Sequence, residues 1–155
     1  MKLTVALLGN PNTGKSTLFS AIAGIPTRIG NYPGVTVEEK IGQFHHHGTT
    51  IELIDLPGTY SLNAKSPDEQ VAVDVLHDNM TAVAHPDCIV VVTDATHLSR
   101  NLYLVSQALD VGRPVLVALT LCDVAESKGI HIDQEKLSEF LGCPVLRLVA
   151  PRREG

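Results

Sequence analysis

Apolar positions along the chain fall into short continuous runs separated by stretches of helical spacing. Residues 3–8 are nearly all apolar and predict a strand buried on both faces. Residues 15–24 place Leu18, Phe19, Ile22 and Ala23 on one side of a helix, which Gly24 ends. Pro26, Gly30, Pro33 and Gly34 then predict a mobile loop over 25–34. Residues 36–44 and 49–54 read as two strands joined in a hairpin at His45-His46-His47-Gly48. A second loop covers 55–67, and Ser66 or Asp68 caps a helix that reaches about Met80. Residues 88–93 form a continuous apolar strand of the fully buried kind. A helix over 98–111 carries a core stripe of Leu102, Val105 and Leu109 and stops at Gly112. Pro114 precedes a strand over 115–121. Asp133 caps a helix over 134–141, Gly142 stops it, and 144–149 is the last strand. Strands alternating with helices imply an α/β fold in three layers, a mostly parallel sheet with helices on both faces. No repeat or linker divides it, so residues 1–155 are expected to be one domain.

Composition narrows the classes of function. Hydrophobic residues make up 44% and charged residues 19%, as in an ordinary globular domain with a real core. The formal net charge is −5 and aromatics are only 4%, so neither nucleic acid nor an anionic lipid surface is an expected partner. Met1-Lys2 leads directly into the first strand, so no signal peptide is read. No apolar run reaches the roughly 18–20 residues of a membrane helix. Cys88, Cys122 and Cys143 stand far apart in apolar segments and read as small buried hydrophobes rather than as disulfides or zinc ligands.

The first strand runs into Gly9-Asn10-Pro11-Asn12-Thr13-Gly14-Lys15-Ser16-Thr17, which fits the phosphate-binding loop G-x-x-x-x-G-K-[ST]. Gly9 and Gly14 permit a close backbone approach that a β-carbon would block. The inward N–H groups and the positive end of the following helix suit a polyphosphate. Lys15 places a cation on the outer phosphates, and the Ser16 hydroxyl can ligate Mg²⁺. Thr36, downstream in Gly34-Val35-Thr36, can complete the Mg²⁺ shell and sense a γ-phosphate. Asp55 ends an apolar strand in Asp55-Leu56-Pro57-Gly58, where it can hold a Mg²⁺-bound water, and the Gly58 N–H can meet the γ-phosphate.

The base-reading end is weaker. In GTPases the end of the corresponding strand carries Asn-x-x-Asp. Here Asp123 is present but Thr120 replaces the Asn, and Thr, being shorter, is expected not to supply the amide that ties base to phosphate loop. Val149-Ala150 stands where Ser-Ala is usual, so an Ala150 N–H can still meet guanine O6 while a polar brace is lost. GTP is therefore expected to bind more weakly than usual, with ATP a better competitor.

Four stretches together carry a resemblance. They are the phosphate loop, Gly30-Asn31-Tyr32-Pro33-Gly34-Val35-Thr36-Val37-Glu38, Asp55-Leu56-Pro57-Gly58-Thr59-Tyr60-Ser61-Leu62, and Arg100-Asn101-Leu102-Tyr103-Leu104. Across nearly all its length the chain resembles the cytosolic G domain of the FeoB family of prokaryotic ferrous-iron transporters, P-loop NTPases of Ras-like G-domain fold. The resemblance implies hydrolysis of GTP to GDP, coupled to Fe²⁺ uptake through a membrane permease portion at the cytoplasmic face of the bacterial inner membrane. It also implies K⁺ stimulation. Asn12 would ligate K⁺ under a loop closed around Asn31 and Tyr32, and the ion would offset charge growing between the β- and γ-phosphates. The residues expected to act directly are then Asn12, Lys15, Thr36 and Gly58. Thr59 stands where Ras-like enzymes have a water-orienting Gln, so turnover is expected to be slow without the cation.

The sequence departs from that family in ending at Pro151-Arg152-Arg153-Glu154-Gly155, before a final helix that would cover Val145, Leu146 and Leu148. Self-association, as a homodimer or by exchange of an element, is one expectation; a chain that continues is the other. Competing functions are a ribosome-assembly or tRNA-modification GTPase and a nucleotide-binding interaction module with little turnover. The three consecutive histidines alternate faces and read as a solvated turn rather than an iron site. His77, His85, His97 and His131 lack ligand spacing, and Asp94 reads as a cap.

Overall fold

The computed structural model describes residues 1–149. A seven-stranded sheet of order β2-β3-β4-β1-β5-β6-β7 forms its centre. Strand β1 (Lys2–Gly9) lies between β4 (Thr49–Asp55) and β5 (Cys88–Asp94), parallel to both. Parallel pairing continues outward to β6 (Val115–Thr120) and β7 (Val145–Arg147). On the other side β3 (Glu38–His46) and β2 (Arg28–Asn31) pair antiparallel. The last six residues of β1 are all buried, which is why its sequence shows a run rather than an alternation.

The two faces of the sheet are covered unequally. Ala6, Leu8, Ile54, Ile89, Val117 and Leu119 point to the large core. Helices α2 (Pro67–Leu76) and α3 (Leu98–Asp110) close it with Val71, Val75, Leu76, Leu104 and Val105. Helix α5 (Gln134–Leu141) adds Leu137 and Leu141. Val5, Leu7 and Leu53 point the other way, against Phe19 of α1 (Lys15–Ala23). Among the described residues α1 is the one long helix on that face. An apolar groove of about 450 Å³ runs beside it, lined in part by Leu18, Phe44, Leu116, Leu146 and Leu148.

Several expectations change. Residues 28–31 are a strand, not loop: β2 pairs from Arg28 opposite Ile41 to Asn31 opposite Glu38, and Thr27 N–H extends the ladder to the Ile41 carbonyl. All four residues of β2 are exposed, so no alternation betrays it. β3 begins at Glu38 rather than 36. α2 ends at Leu76, short of Met80. Its cap is Ser66, whose hydroxyl accepts from Glu69 N–H, with Pro67 in the first turn. A six-residue helix, α4 (Cys122–Ser127), stands where none was expected. Asp133 and Gly142 bound α5 as read, the Asp133 carboxylate accepting from Lys136 N–H and Gly142 taking φ 72°. Val145 is buried beneath α5 in the large core, because strand alternation turns it away from the groove that Leu146 and Leu148 line. The expected lack of a final helix falls on residues outside those described.

His45, His46 and His47 lie around the β3–β4 turn, where His47 and Gly48 take positive φ. Cys122 and Cys143 are buried free thiols and Cys88 is half-buried, and burial pushes all three up. No described helix is long and apolar enough to cross a membrane.

Candidate functional site

The phosphate loop is built by close packing at both ends. A β-carbon on Gly9 would lie 2.8 Å from the Val92 carbonyl, so the residue leaving β1 beside β5 has to be glycine. Asn12 and Gly14 take left-handed φ of 63° and 87°. Thr13 is buried, and its hydroxyl donates to the Asn10 carbonyl at 2.9 Å, closing the loop on itself. Gly14 then starts α1, its carbonyl accepting from Leu18 N–H.

This loop and the chain after β4 enclose a polar cavity of about 520 Å³. Asn10, Pro11, Asn12, Gly14, Lys15, Ser16, Thr17 and Gly58 line it. A β-carbon on Gly58 would come within 3.2 Å of the Pro11 ring. Thr59 N–H donates to the Gly9 carbonyl at 3.1 Å and fixes that approach. Lys15 Nζ is paired with the Asp55 carboxylate at the end of β4, both side chains being largely buried. The cation expected on a phosphate is thus held by the carboxylate expected on a metal-bound water.

Oxygen donors dominate here. Ser16 lines the cavity at the head of α1, while Asp55 is not among the lining residues and is linked to them through its ion pair with Lys15; the Ser16 hydroxyl and the Asp55 carboxylate are hard oxygen donors of the kind Mg²⁺ takes. Asn12 lines the same cavity. Thr36 is exposed and not among the lining residues. The loop before it is held elsewhere. Tyr32 is buried in the large core, its hydroxyl without a partner among the described residues. Burial pushes the Tyr32 phenol up, and the carboxylates of Glu39 and Asp55 add to it.

At the base end Thr120 supplies no amide, but its side chain is tied to the phosphate loop in another way. Its buried hydroxyl donates to the Thr13 carbonyl at 2.5 Å. The end of β6 lies directly under the loop, with Thr120 side-chain atoms 3.8–3.9 Å from a β-carbon placed on Gly14. Leu121 takes φ 56°, and Asp123 sits exposed in the first turn of α4. Val149 is half-buried, and Ala150 lies outside the described residues.

Behind the loop is a second polar cavity of about 260 Å³, bounded by Asn10, Asn12, Tyr60, Asp94, Arg100 and Asn101 among others. The Oδ1 of Asn10 is buried without a partner among the described residues. Asp94 caps the 3-10 turn Ala95–His97, accepting from Thr96 N–H at 2.8 Å. Burial pushes the Asp94 carboxyl up, but hydrogen bonds from Thr96 and His97 outweigh it and hold it below the usual carboxylate range.

The family model described as ferrous iron transport protein B matches residues 3–155. The Fe(2+) transporter FeoB of Legionella pneumophila is 49% identical over 153 residues, covering 96% of this chain and 20% of the relative. The G domain of the T. maritima FeoB iron transporter superposes with a TM-score of 0.90 at 40% identity, covering 100% of this chain and 92% of that one. A mutant S. thermophilus NFeoB bound to GDP gives 0.89 at 44% identity, covering 99% and 58%. The chain therefore spans about a fifth of the length of its curated relatives. Sequence, sheet order and phosphate loop agree with these matches, and the chain belongs to the ferrous iron transport protein B (FeoB) family.

Proposed function

We propose that this domain binds GTP and hydrolyses it to GDP and phosphate, slowly and with stimulation by K⁺. In the whole transporter that cycle would drive Fe²⁺ uptake through a membrane permease portion, with residues 1–155 as the G domain on the cytoplasmic face of a bacterial inner membrane. The observation that carries the reading is the cavity in which Lys15, Ser16 and Gly58 converge on the N-terminal end of α1. A GDP-bound relative of the same fold supports it.

Backbone N–H groups of the loop would hold the β-phosphate, and Lys15 would leave Asp55 for the outer phosphates. Ser16, Thr36 and Asp55 would hold Mg²⁺, which supplies charge neutralisation between the β- and γ-oxygens when bound. Asn12 would hold K⁺. Thr59 is fully buried and donates its hydroxyl to the Ser61 carbonyl at 2.6 Å, so no side chain at that position is free to orient water. This favours a slow intrinsic rate and leaves room for a cation's help.

The Thr120 hydroxyl is committed to the loop, so guanine reading rests on Asp123 and the Val149-Ala150 segment, which favours a relaxed preference over ATP. Self-association belongs to the same reading, through the groove that Leu146 and Leu148 line, and a single monomer mass in light scattering would remove it.

Phosphate release with GTP and ATP, each in K⁺ and in Na⁺, tests the whole. Faster GTP turnover in K⁺, with the K⁺/Na⁺ ratio collapsing in Asn12→Ala, is expected. Equal rates in the two salts contradict the K⁺ role, and no release at all leaves a binding module without turnover.

A further inference from the structure

We infer that one stripe of α3 is a clasp that positions the loop after β4 for hydrolysis, with Gln107 and Arg100 as positioning residues. The inference rests on the reaction proposed above. Residues 100, 103 and 107 fall on one face of the helix. Each meets the loop. The Gln107 amide oxygen accepts from Leu62 N–H at 2.7 Å. The Arg100 guanidinium lies over the Tyr60 ring, 5.0 Å from its centre. The Tyr103 hydroxyl stands between Asn63 and the Gln107 side chain.

The opposite face of α3 is locked. Leu104, Val105 and Ala108 are in the large core. Asn101 ties the head of the helix to the end of β5, accepting from Asp94 N–H at 3.3 Å and donating to the His97 carbonyl at 2.8 Å. The stretch Arg100-Asn101-Leu102-Tyr103 thus divides its work: Asn101 anchors the helix, while Arg100 and Tyr103 face the loop.

The loop is consequently held at two points on either side of its turn. Thr59 N–H is bonded to Gly9 of the phosphate loop, and Leu62 N–H is bonded to Gln107 of α3. Gly58, whose N–H is to meet the γ-phosphate, directly precedes the first anchor. A backbone donor stabilises developing charge only where it is already aimed, and a displacement of about 1 Å can cost roughly 100-fold in rate. Residues 56–65 have no ladder or helix of their own to supply that rigidity. The α3 stripe supplies it from outside.

The Gln107 bond is tested by Gln107→Leu, which removes the acceptor, and Gln107→Glu, which keeps one. Arg100→Ala is the second variant, since its side chain is exposed and its loss leaves the core untouched. Gln107→Leu should lower kcat for GTP about tenfold, the size of one lost hydrogen bond, with KM and GDP affinity within about twofold of wild type. Gln107→Glu should restore most of the rate, and Arg100→Ala should lower it several-fold. Hydrogen exchange of the 59–63 amides without nucleotide should speed up in Gln107→Leu and not in Gln107→Glu. Wild-type kcat in both Gln107→Leu and Arg100→Ala overturns the inference, as does a loss of GDP affinity equal to the loss of rate. A wild-type protein that releases no phosphate overturns the reaction itself. The exchange data then still say whether the clasp is there, so the two failures are distinct.

Discussion

At the scale of single residues, the pairing of Lys15 with Asp55 has a consequence that charge alone would not suggest. A carboxylate that ligates a metal usually helps a nucleotide bind. Here it also holds the lysine that must reach the phosphates, in a setting where both groups are largely buried and poorly screened. Removing it should therefore act in opposite directions with and without Mg²⁺. With Mg²⁺ chelated, Asp55→Ala should bind GDP about tenfold more tightly than wild type, a charge-assisted hydrogen bond no longer having to be broken. With Mg²⁺ present it should bind more weakly. Calorimetric titrations in the two buffers decide it, and weaker binding in both would show that the pair does not compete with nucleotide. Asp94 makes a second prediction at this scale. Its folded pKa lies below the ordinary value, so its contribution to stability is present above the unfolded pKa and lost as pH falls through the folded one. Asp94→Asn should flatten the fall of Tm below about pH 4, and an unaltered slope would count against it. Lys15, Ser16 and Gly58 were legible because a motif fixes their spacing. The Thr120 bond to Thr13 was not, because 107 residues separate partners that only the finished sheet brings together.

Elements differ in how much of themselves they write into the chain. Helix α1 must lie close on β3, and Gly42 is the reason it can. A β-carbon there would press into the Ala23 methyl and come 2.9 Å from Phe19 Cζ. Gly42→Ala should cost about 1–3 kcal/mol as an overpacked contact. Urea titration would show this as a lower midpoint at unchanged m, and an unchanged midpoint would mean that α1 shifts at no cost. In the chain this glycine reads only as a weak strand residue. The elements that were legible carry their own punctuation: Ser66 before α2, Gly112 after α3, Asp133 and Gly142 around α5. β2 has neither a buried face nor a turn residue that only a strand would need, so its four residues look like loop until β3 pairs with them. α4 is too short to show a period. Its start at Leu121 in the left-handed region is a tertiary matter, set where the chain leaves β6.

For the whole molecule, the unequal clothing of the sheet predicts unequal sensitivity to the same mutation on one strand. Leu119 and Leu116 both belong to β6. Leu119 is fully buried in the large core, while Leu116 is half-buried on the other face, at the wall of the apolar groove. Truncating Leu119 to Ala leaves a hole that packed neighbours cannot fill and should cost about 2–5 kcal/mol. Truncating Leu116 removes partly solvated surface beside a space that is already open, so its cost should stay near about 1 kcal/mol. Both costs can be read from urea midpoints of the two variants against wild type under one buffer. The comparison is internal: same residue type, same substitution and same strand, so propensity and chain entropy largely cancel. A clear excess for Leu119 would mean that stability is concentrated in the layer that α2, α3 and α5 close, the same layer that anchors α3 beneath the proposed clasp. Equal costs would mean that the groove is filled in solution and that the α1 face carries a load its open form does not suggest.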